Sequence, residues 1–292
     1  ICHFAIVKRD TAPVDAVDKA PVSCSYVEKI QREPRPADRV DDSGRALVGP
    51  ATHFVSHAWC YDFELFCLVL YQFWNEMAKT DRLKCYFWID IFCVDQHKAA
   101  SGYYDSAFWE AEFQSMVRQI GHTVCIVMPW QHPICVTRIW CLWEIFSTII
   151  NDIKLTLAMT YQESTSLHQA VIEDFDGTIS AFLSIDAANA EATDPADLRH
   201  IGGMIEASKG GFAELNSVVR TALLSRFVAF LAWAGDSERV TTLLRDHPSV
   251  NLEMPVDIRS TRHRAFTPLQ HACKNGHVDV VRILLQHKAD PR

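Results

Sequence analysis

From residue 52 to residue 175 the sequence alternates between short apolar runs and longer helical stretches. Thr52–Trp59 (THFVSHAW) reads as a strand. Asp62–Lys79 is a nearly continuous apolar and aromatic helix, with Asp62 placed to cap it. Lys84–Val94 (KCYFWIDIFCV) is dense in aromatic and β-branched residues and reads as a second strand. Ser106–Ile120 is a helix, His122–Trp130 (HTVCIVMPW) a third strand ended by Pro129, and Arg138–Asn151 a helix. Lys154–Thr160 (KLTLAMT) is a fourth strand, and Gln162–Phe175 closes the series as a helix. Such alternation leaves few options. Each strand is followed by a crossover helix, so the strands lie parallel and helices cover both faces of the sheet.

The expected class is therefore α/β, a doubly wound parallel sheet of flavodoxin-like order. In such sheets ligands bind beyond the carboxyl ends of the strands, where the winding reverses between the first and third strands. That position collects Ser56, His57 and Trp59 from the first strand, and Pro129 and Trp130 from the third.

Around this unit the texture changes. Residues 1–46 are rich in Pro, Asp, Arg and Ala and read as an extended or poorly ordered lead-in, with Cys2–Val7 as a possible strand. The α/β domain takes 47–175. Residues 176–226 read as a helical extension broken at Gly202–Gly203 and Gly210–Gly211, with a helix start at Asp194–Pro195. From 227 to 292 the sequence repeats: a shift of 41 residues aligns Gly235 with Gly276, Val240 with Val281, and Leu243–Leu244 with Leu284–Leu285. Thr267-Pro268-Leu269, Gly276-His277 and Leu284-Leu285 resemble the ankyrin repeat, which implies stacked helix pairs that bind a protein partner. Gln270 stands where that family usually has His, and the surplus length falls in the loop Met254–His263. The chain starts on Ile1 and stops inside a repeat, so a longer protein with further repeats is expected.

Charge and cysteine usage narrow the functional classes. With 28 Lys and Arg against 36 Asp and Glu, and no basic cluster, the chain is poorly suited to nucleic acid. None of the ten cysteines forms a CxxC pair, and most lie in apolar runs, as in a reducing, cytoplasmic setting. The stretch Phe63–Trp74 is too short to span a bilayer, and no membrane partner is expected. His97, His122 and His132 lack metal-ligand spacing, and no Gly-rich phosphate loop occurs, so neither a metal nor a bound cofactor is expected.

Two sets of residues carry a second resemblance. Phe54-Val55-Ser56-His57 resembles the first strand of TIR domains, and Trp140-Cys141-Leu142-Trp143-Glu144-Ile145 resembles their WCLxEL helix. Trp88-Ile89-Asp90, Cys93 and Gln96 resemble the WIDxxCxxQ element of fungal heterokaryon-incompatibility domains, which also carry Arg-x-Trp and Glu, as do Arg138, Trp140 and Glu144. The resemblance covers roughly 52–160 and implies self-association, and a Glu that cleaves the nicotinamide–ribose bond of NAD as substrate. That role falls on Glu144, with Ser56, His57, Trp59, Trp130 and Arg138 as candidate substrate contacts. A plainer reading stands beside it. Thr137, Cys141, Glu144, Thr148 and Asn151 share one helix face, so Glu144 also fits a solvated polar stripe. Asp90, Asp95, Gln96 and His97 follow the second strand and precede the loop that often gates TIR sites, so one or two are further candidates, although Asp90 inside YFWIDIF reads first as a buried structural acid. Trp59 and Trp130 fit packing as well as stacking, and Arg138 fits a local cap or pair as well as a phosphate clamp.

Two functions remain open on the sequence. One is an NAD-cleaving signalling or defence enzyme switched on by clustering. The other is a non-catalytic scaffold whose domains self-associate while the repeats recruit a protein.

Overall fold

The structure is a computed structural model that describes residues 23–32, 39–42, 44–103, 114–192, 194–254, 256 and 266–291. The Cys2–Val7 strand and much of the Ser106–Ile120 helix fall outside the described residues; 114–120 is helical. Strands β1 (His53–Ser56), β2 (Phe87–Trp88), β3 (His122–Ile126) and β4 (Lys154–Ala158) form one four-stranded sheet, order β2-β1-β3-β4. Every pairing is parallel, as the alternating sequence requires. The chain steps from β1 outward to β2, then crosses back to β3 and continues to β4. The winding therefore reverses at the β1/β3 seam, where Phe54 pairs with Thr123 and Ser56 with Cys125.

The described helices are α1 (Tyr26–Arg32), α2 (Phe63–Glu76), α3 (Asp90–Cys93), α4 (Gln96–Ala100), α5 (Ile139–Ile150), α6 (Tyr161–Glu173) and α7 (Phe175–Leu183). After them come α8 (Pro195–Ala207), α9 (Gly211–Ala234), α10 (Ser237–Asp246), α11 (Pro268–Asn275) and α12 (Val278–Gln286), with further short turns between.

Strand periodicity of two sorts the sheet faces. Val55, Val124 and Ile126 pack against Phe66, Val69 and Leu70 of α2, whose first turn is closed by Asp62 accepting from Leu65 N at 3.0 Å. The opposite face, carrying Cys125 and Leu157, packs on α5. That second core is continuous through α8 and α9 to Leu269 and Leu284.

Three elements differ from the sequence reading. The second strand is only Phe87–Trp88: at Asp90 the chain turns into α3, and Cys93 N bonds back to Ile89 O at 2.9 Å. A buried single helical turn and a strand share the same dense apolar composition, so pattern alone does not separate them. Within the lead-in, Tyr26–Arg32 is a helix; Tyr26 meets Phe92 at 5.8 Å, and Ser23 donates to Asp95 at 2.8 Å. Gly202–Gly203 does not break α8; the break falls at Gly210–Gly211, both at positive φ.

Helix α9 is long and apolar enough to cross a membrane by length and composition alone. Its apolar residues, from Leu215 to Ala232, are instead packed between α5, α7 and α8 on one side and α10 and α11 on the other. Helices α9 and α11 each end on a left-handed glycine, Gly235 and Gly276, and a further helix follows each. Val256 and Phe266 flank the long loop and bond to each other antiparallel, at 2.8 and 3.2 Å. Residues 257–265 of that loop are outside the described set.

Candidate functional site

Helix α5 fixes the site. The short 3₁₀ turn Ile134–Thr137 leads into it, and Arg138 sits at its N-cap without a side-chain cap bond. Apolar side chains occupy one side and face α8 and α9. The polar stripe of Cys141, Glu144 and Thr148 faces the sheet rather than solvent. Thr148 Oγ1 donates to Glu144 O at 2.7 Å and lies 2.8 Å from Thr123 Oγ1 of β3. This hydroxyl pair pins the helix to the strand, and Glu144, one turn earlier, comes to the carboxyl end of β1.

There the neighbours of Glu144 are Ser56, Asp90 and the buried thiols of Cys125 and Cys141. Ser56 is fully buried, and its Oγ lies among Glu144, Cys125 and Cys141, close enough to interact with each but without a hydrogen bond of good geometry. Glu144 retains some solvent exposure as a residue, while its Oε2 is covered and has no partner either. Burial pushes the Glu144 carboxyl well above the usual carboxylate range; the Ser56 hydroxyl opposes the shift and the Asp90 charge adds to it. The Cys125 thiol, beside Cys135, and the buried Cys141 thiol are both held well above an ordinary cysteine. Thiolates are the reactive form, so these cysteines are unsuited to act as nucleophiles.

Asp90 is held at the rim. Its Oδ2 accepts from Trp59 Nε1 at 2.7 Å, its Oδ1 accepts from Ile91 N at 2.7 Å, and His57 Nε2 lies 3.7 Å away. Gln96 Nε2 donates to Asp90 O at 3.0 Å and Val94 O at 3.3 Å, locking the turn that presents the acid.

Of the expected site residues, Ser56, His57, Trp59 and Glu144 converge through Asp90. Trp130 is directed elsewhere: its backbone N–H donates to Glu163 at 2.8 Å and its indole N–H to Ser166 at 3.1 Å, which ties it to α6. Arg138 is turned to Glu191, 3.9 Å away, beside a backbone bridge between the same two residues. Asp90 is the residue that sequence reasoning assigned to structure. Its side chain is 32% exposed and it begins a helix at a strand's carboxyl end, where a charged residue is a better ligand than core element. The available signal was the single acidic charge of Asp90 inside the second apolar run.

A carboxyl group with one covered, unpartnered oxygen beside an unpartnered hydroxyl is a polar pair left unsatisfied by the fold. The covered oxygen makes no direct contact with a ligand in this conformation, but the charge of the carboxyl, when ionised, can offset positive charge developing nearby. Among the described residues no group of three or more His, Cys, Asp or Glu is placed to hold a metal ion.

The protein thus joins an α/β unit with a largely buried polar cluster at the carboxyl end of β1 to a helical C-terminal array. The ankyrin-repeat family model matches residues 266–292 of that array, a family whose repeats generally mediate protein–protein interaction. No curated protein and no solved structure matches the chain. Within the match, Gln270 has a clear task. Thr267 Oγ1 accepts from Gln270 N at 3.3 Å and Gln270 Oε1 accepts from Thr267 N at 3.1 Å, a reciprocal capping box. His271 bonds Val256 O at 2.8 Å from the next position.

Proposed function

We propose that the α/β unit is a TIR-like domain of flavodoxin-like order that hydrolyses the nicotinamide–ribose bond of NAD, with Glu144 as its catalytic carboxylate. One observation carries the reading: the unpartnered Oε2 of Glu144 sits beside Ser56 and Asp90 where the strand order reverses. Of the residues that resemble TIR and heterokaryon-incompatibility motifs, Ser56, His57, Asp90 and Glu144, far apart in sequence, lie together there, whereas Arg138 and Trp140 turn to Glu191 and Asp197. Pyridinium is a good leaving group, so no general acid is required. The C1′–N bond breaks with its electron pair passing to nicotinamide, and water adds at C1′ with loss of a proton. Glu144 orients the ribose hydroxyls and offsets the oxocarbenium-like charge, as carboxylates do in glycoside hydrolysis. Trp59 and Asp90 form the rim on which the substrate rests, while Trp130, tied to α6, and Arg138, turned to Glu191, take no part in this reading.

On this reading the α/β domains self-associate to become active, while the helix pairs α9–α10 and α11–α12 act as two ankyrin repeats that recruit a protein in a defence or signalling role. The described free cysteines are consistent with work in the cytoplasm. The test is direct: the full chain, clustered on a multivalent support, is incubated with NAD and free nicotinamide is followed. Glu144→Gln is expected to lower release by roughly a hundredfold to a thousandfold. Equal release from the variant, or none from the native chain under any clustering, would leave the second reading. That reading, a non-catalytic scaffold, is favoured by the ankyrin match itself.

A further inference from the structure

Helix α2 is apolar on nearly its whole circumference, yet one side of it is bare. Its 14 residues carry only Glu64 and Glu76 as charges. Phe66, Val69 and Leu70 are buried against the sheet. Leu68 and Tyr71, on the opposite side, are 42% and 59% exposed, and Leu65 and Tyr161 flank them at the surface. Spacing places them there: Glu64, Leu68, Tyr71 and Asn75 recur at helical intervals and form one outward line. A helix apolar all round is ordinarily enclosed, and large apolar side chains gathered in the open on one helix mark a contact surface. Tyr161 N donates to Gln72 Oε1 at 3.0 Å, so α6 holds Tyr161 beside α2 and extends that surface.

The charges at the two ends of the line specify what covers it. Glu64 stands exposed at the N-terminal end and makes no ion pair among the described residues. At the other end Arg82 folds back from the following turn. It donates to Asn75 Oδ1 at 3.0 Å, and its guanidinium lies 5.3 Å from the centre of the Trp74 ring. The line therefore begins with a negative charge, is apolar in the middle and ends with a positive charge. Reversed, it is complementary to itself.

We propose that α2 packs antiparallel on α2 of a second copy of this chain, with the two-fold axis passing between Leu68 and Tyr71. Leu68 then meets Tyr71 of the other copy and Glu64 meets Arg82, each contact made twice, as an isologous interface requires. A parallel arrangement would set Glu64 against Glu64, and a lipid surface would have to take up Glu64 along with its apolar neighbours. This interface gives the self-association proposed above a surface. It is read without reference to NAD, so its failure and that of the hydrolase reading are separable.

Sedimentation velocity on the full chain, from about 1 to about 200 µM, tests it. The expected result is a monomer–dimer equilibrium with a Kd of about 10 to 100 µM, because one helix from each copy makes a small interface, and the dimer should weaken as salt rises. Leu68→Glu should weaken dimerisation by at least about a hundredfold, since it sets a charge in the apolar middle. Glu64→Lys and Arg82→Glu should each weaken it about tenfold, because each reversal replaces two attractions by two repulsions. Combined, they restore opposite signs and should return Kd to within about threefold of the native chain, which a merely structural role for either residue would not do. A monomer at every concentration, a dimer untouched by Leu68→Glu, or a combined variant no better than the single reversals would overturn the proposal. Thermal unfolding is measured on every variant. Should Arg82→Glu lose its fold, Leu68→Glu and Glu64→Lys, both at exposed positions, decide the question.

Discussion

At the scale of single residues, the carboxyl of Glu144 is held at a thermodynamic disadvantage. Burial raises its pKa above the value it has in the unfolded chain. In the window between those two values the native state binds more protons than the unfolded one, so stability falls as pH rises through it. Glu144→Gln removes that ionisation. The variant should melt higher than the native protein, by a margin that widens from pH 5 to pH 7, while nicotinamide release is lost. A purely structural acid gives the opposite result, a lower melting temperature. The same shift places the acid limb of the native pH–rate profile above the ordinary carboxylate range, because the ionised form is the one that offsets cationic charge. His53 and His122 act at the other end of the sheet. Their rings lie 4.6 Å apart, and burial, with Lys154 nearby, lowers them to about 4 and about 3. Here the unfolded chain takes protons first. Stability is intact above pH 6.5 and falls as pH drops toward 4, by about 2 kcal/mol for the pair after allowing for partial exposure. Urea midpoints measured from pH 7 to 4.5 should decline less steeply in His122→Gln. An unchanged slope would remove the pair from the account of acid sensitivity.

At the scale of elements, the most informative case is α5. Its polar residues at Cys141, Glu144 and Thr148 were recognisable as one face from spacing alone, but the sequence did not say which way that face turns. A solvated stripe is the ordinary choice for a helix with one apolar side. It fails here because α8 and α9 bury the apolar side, which leaves the polar side against β1 and β3. The hidden cause is tertiary, a partner roughly 50 to 90 residues further along the chain. The strands β1, β3 and β4 were legible because short apolar runs bounded by polar residues admit little else. Strand β2 was overextended because Ile89-Asp90-Ile91 carries no helix signal beyond Asp90 itself. Gly202–Gly203 was misread since glycine lowers helix propensity without forbidding the helix. At Gly235 the glycine is required for two reasons. Its φ is +81°, and a Cβ would approach the His277 ring to 2.5 Å, while His277 is itself fixed by a 2.9 Å bond to Trp233 O. Gly235→Ala should therefore lower stability by about 1 to 3 kcal/mol, read from denaturant midpoints. Gly276→Ala, with no neighbour within 4 Å, carries only the backbone part of that cost. If the two substitutions cost the same, the contact between His277 and Gly235 contributes nothing.

At the scale of the molecule, the α/β unit and the helical array share one core. Cys125 of β3, Leu142 of α5, Leu231 of α9 and Leu284 of α12 belong to a single continuous apolar cluster. Helix α9 makes this possible. Its N-terminal half packs among α5, α7 and α8, and its C-terminal half, through Phe230 and Trp233, supports α11 and receives the bonds from Asn275 and His277. An amphipathic helix with one apolar stripe can serve only one neighbour, whereas α9 is apolar on most of its circumference and serves two. A boundary drawn near residue 226 therefore divides a helix, not a linker. Cooperativity follows from that geometry. Far-ultraviolet circular dichroism, which reports the helices throughout, and tryptophan fluorescence, weighted toward Trp59, Trp74, Trp88, Trp109, Trp130, Trp140 and Trp143 in the α/β part, should give coincident unfolding curves. Removing residues 236–292 should not release an independent, fully stable α/β unit. It bares Leu231 and Phe230, so the truncated chain should unfold at a clearly lower midpoint and bind more hydrophobic dye. Two separated transitions in the full chain, or an unshifted midpoint after truncation, would mean that α9 couples the two halves too weakly for a ligand on the repeats to be felt at α5.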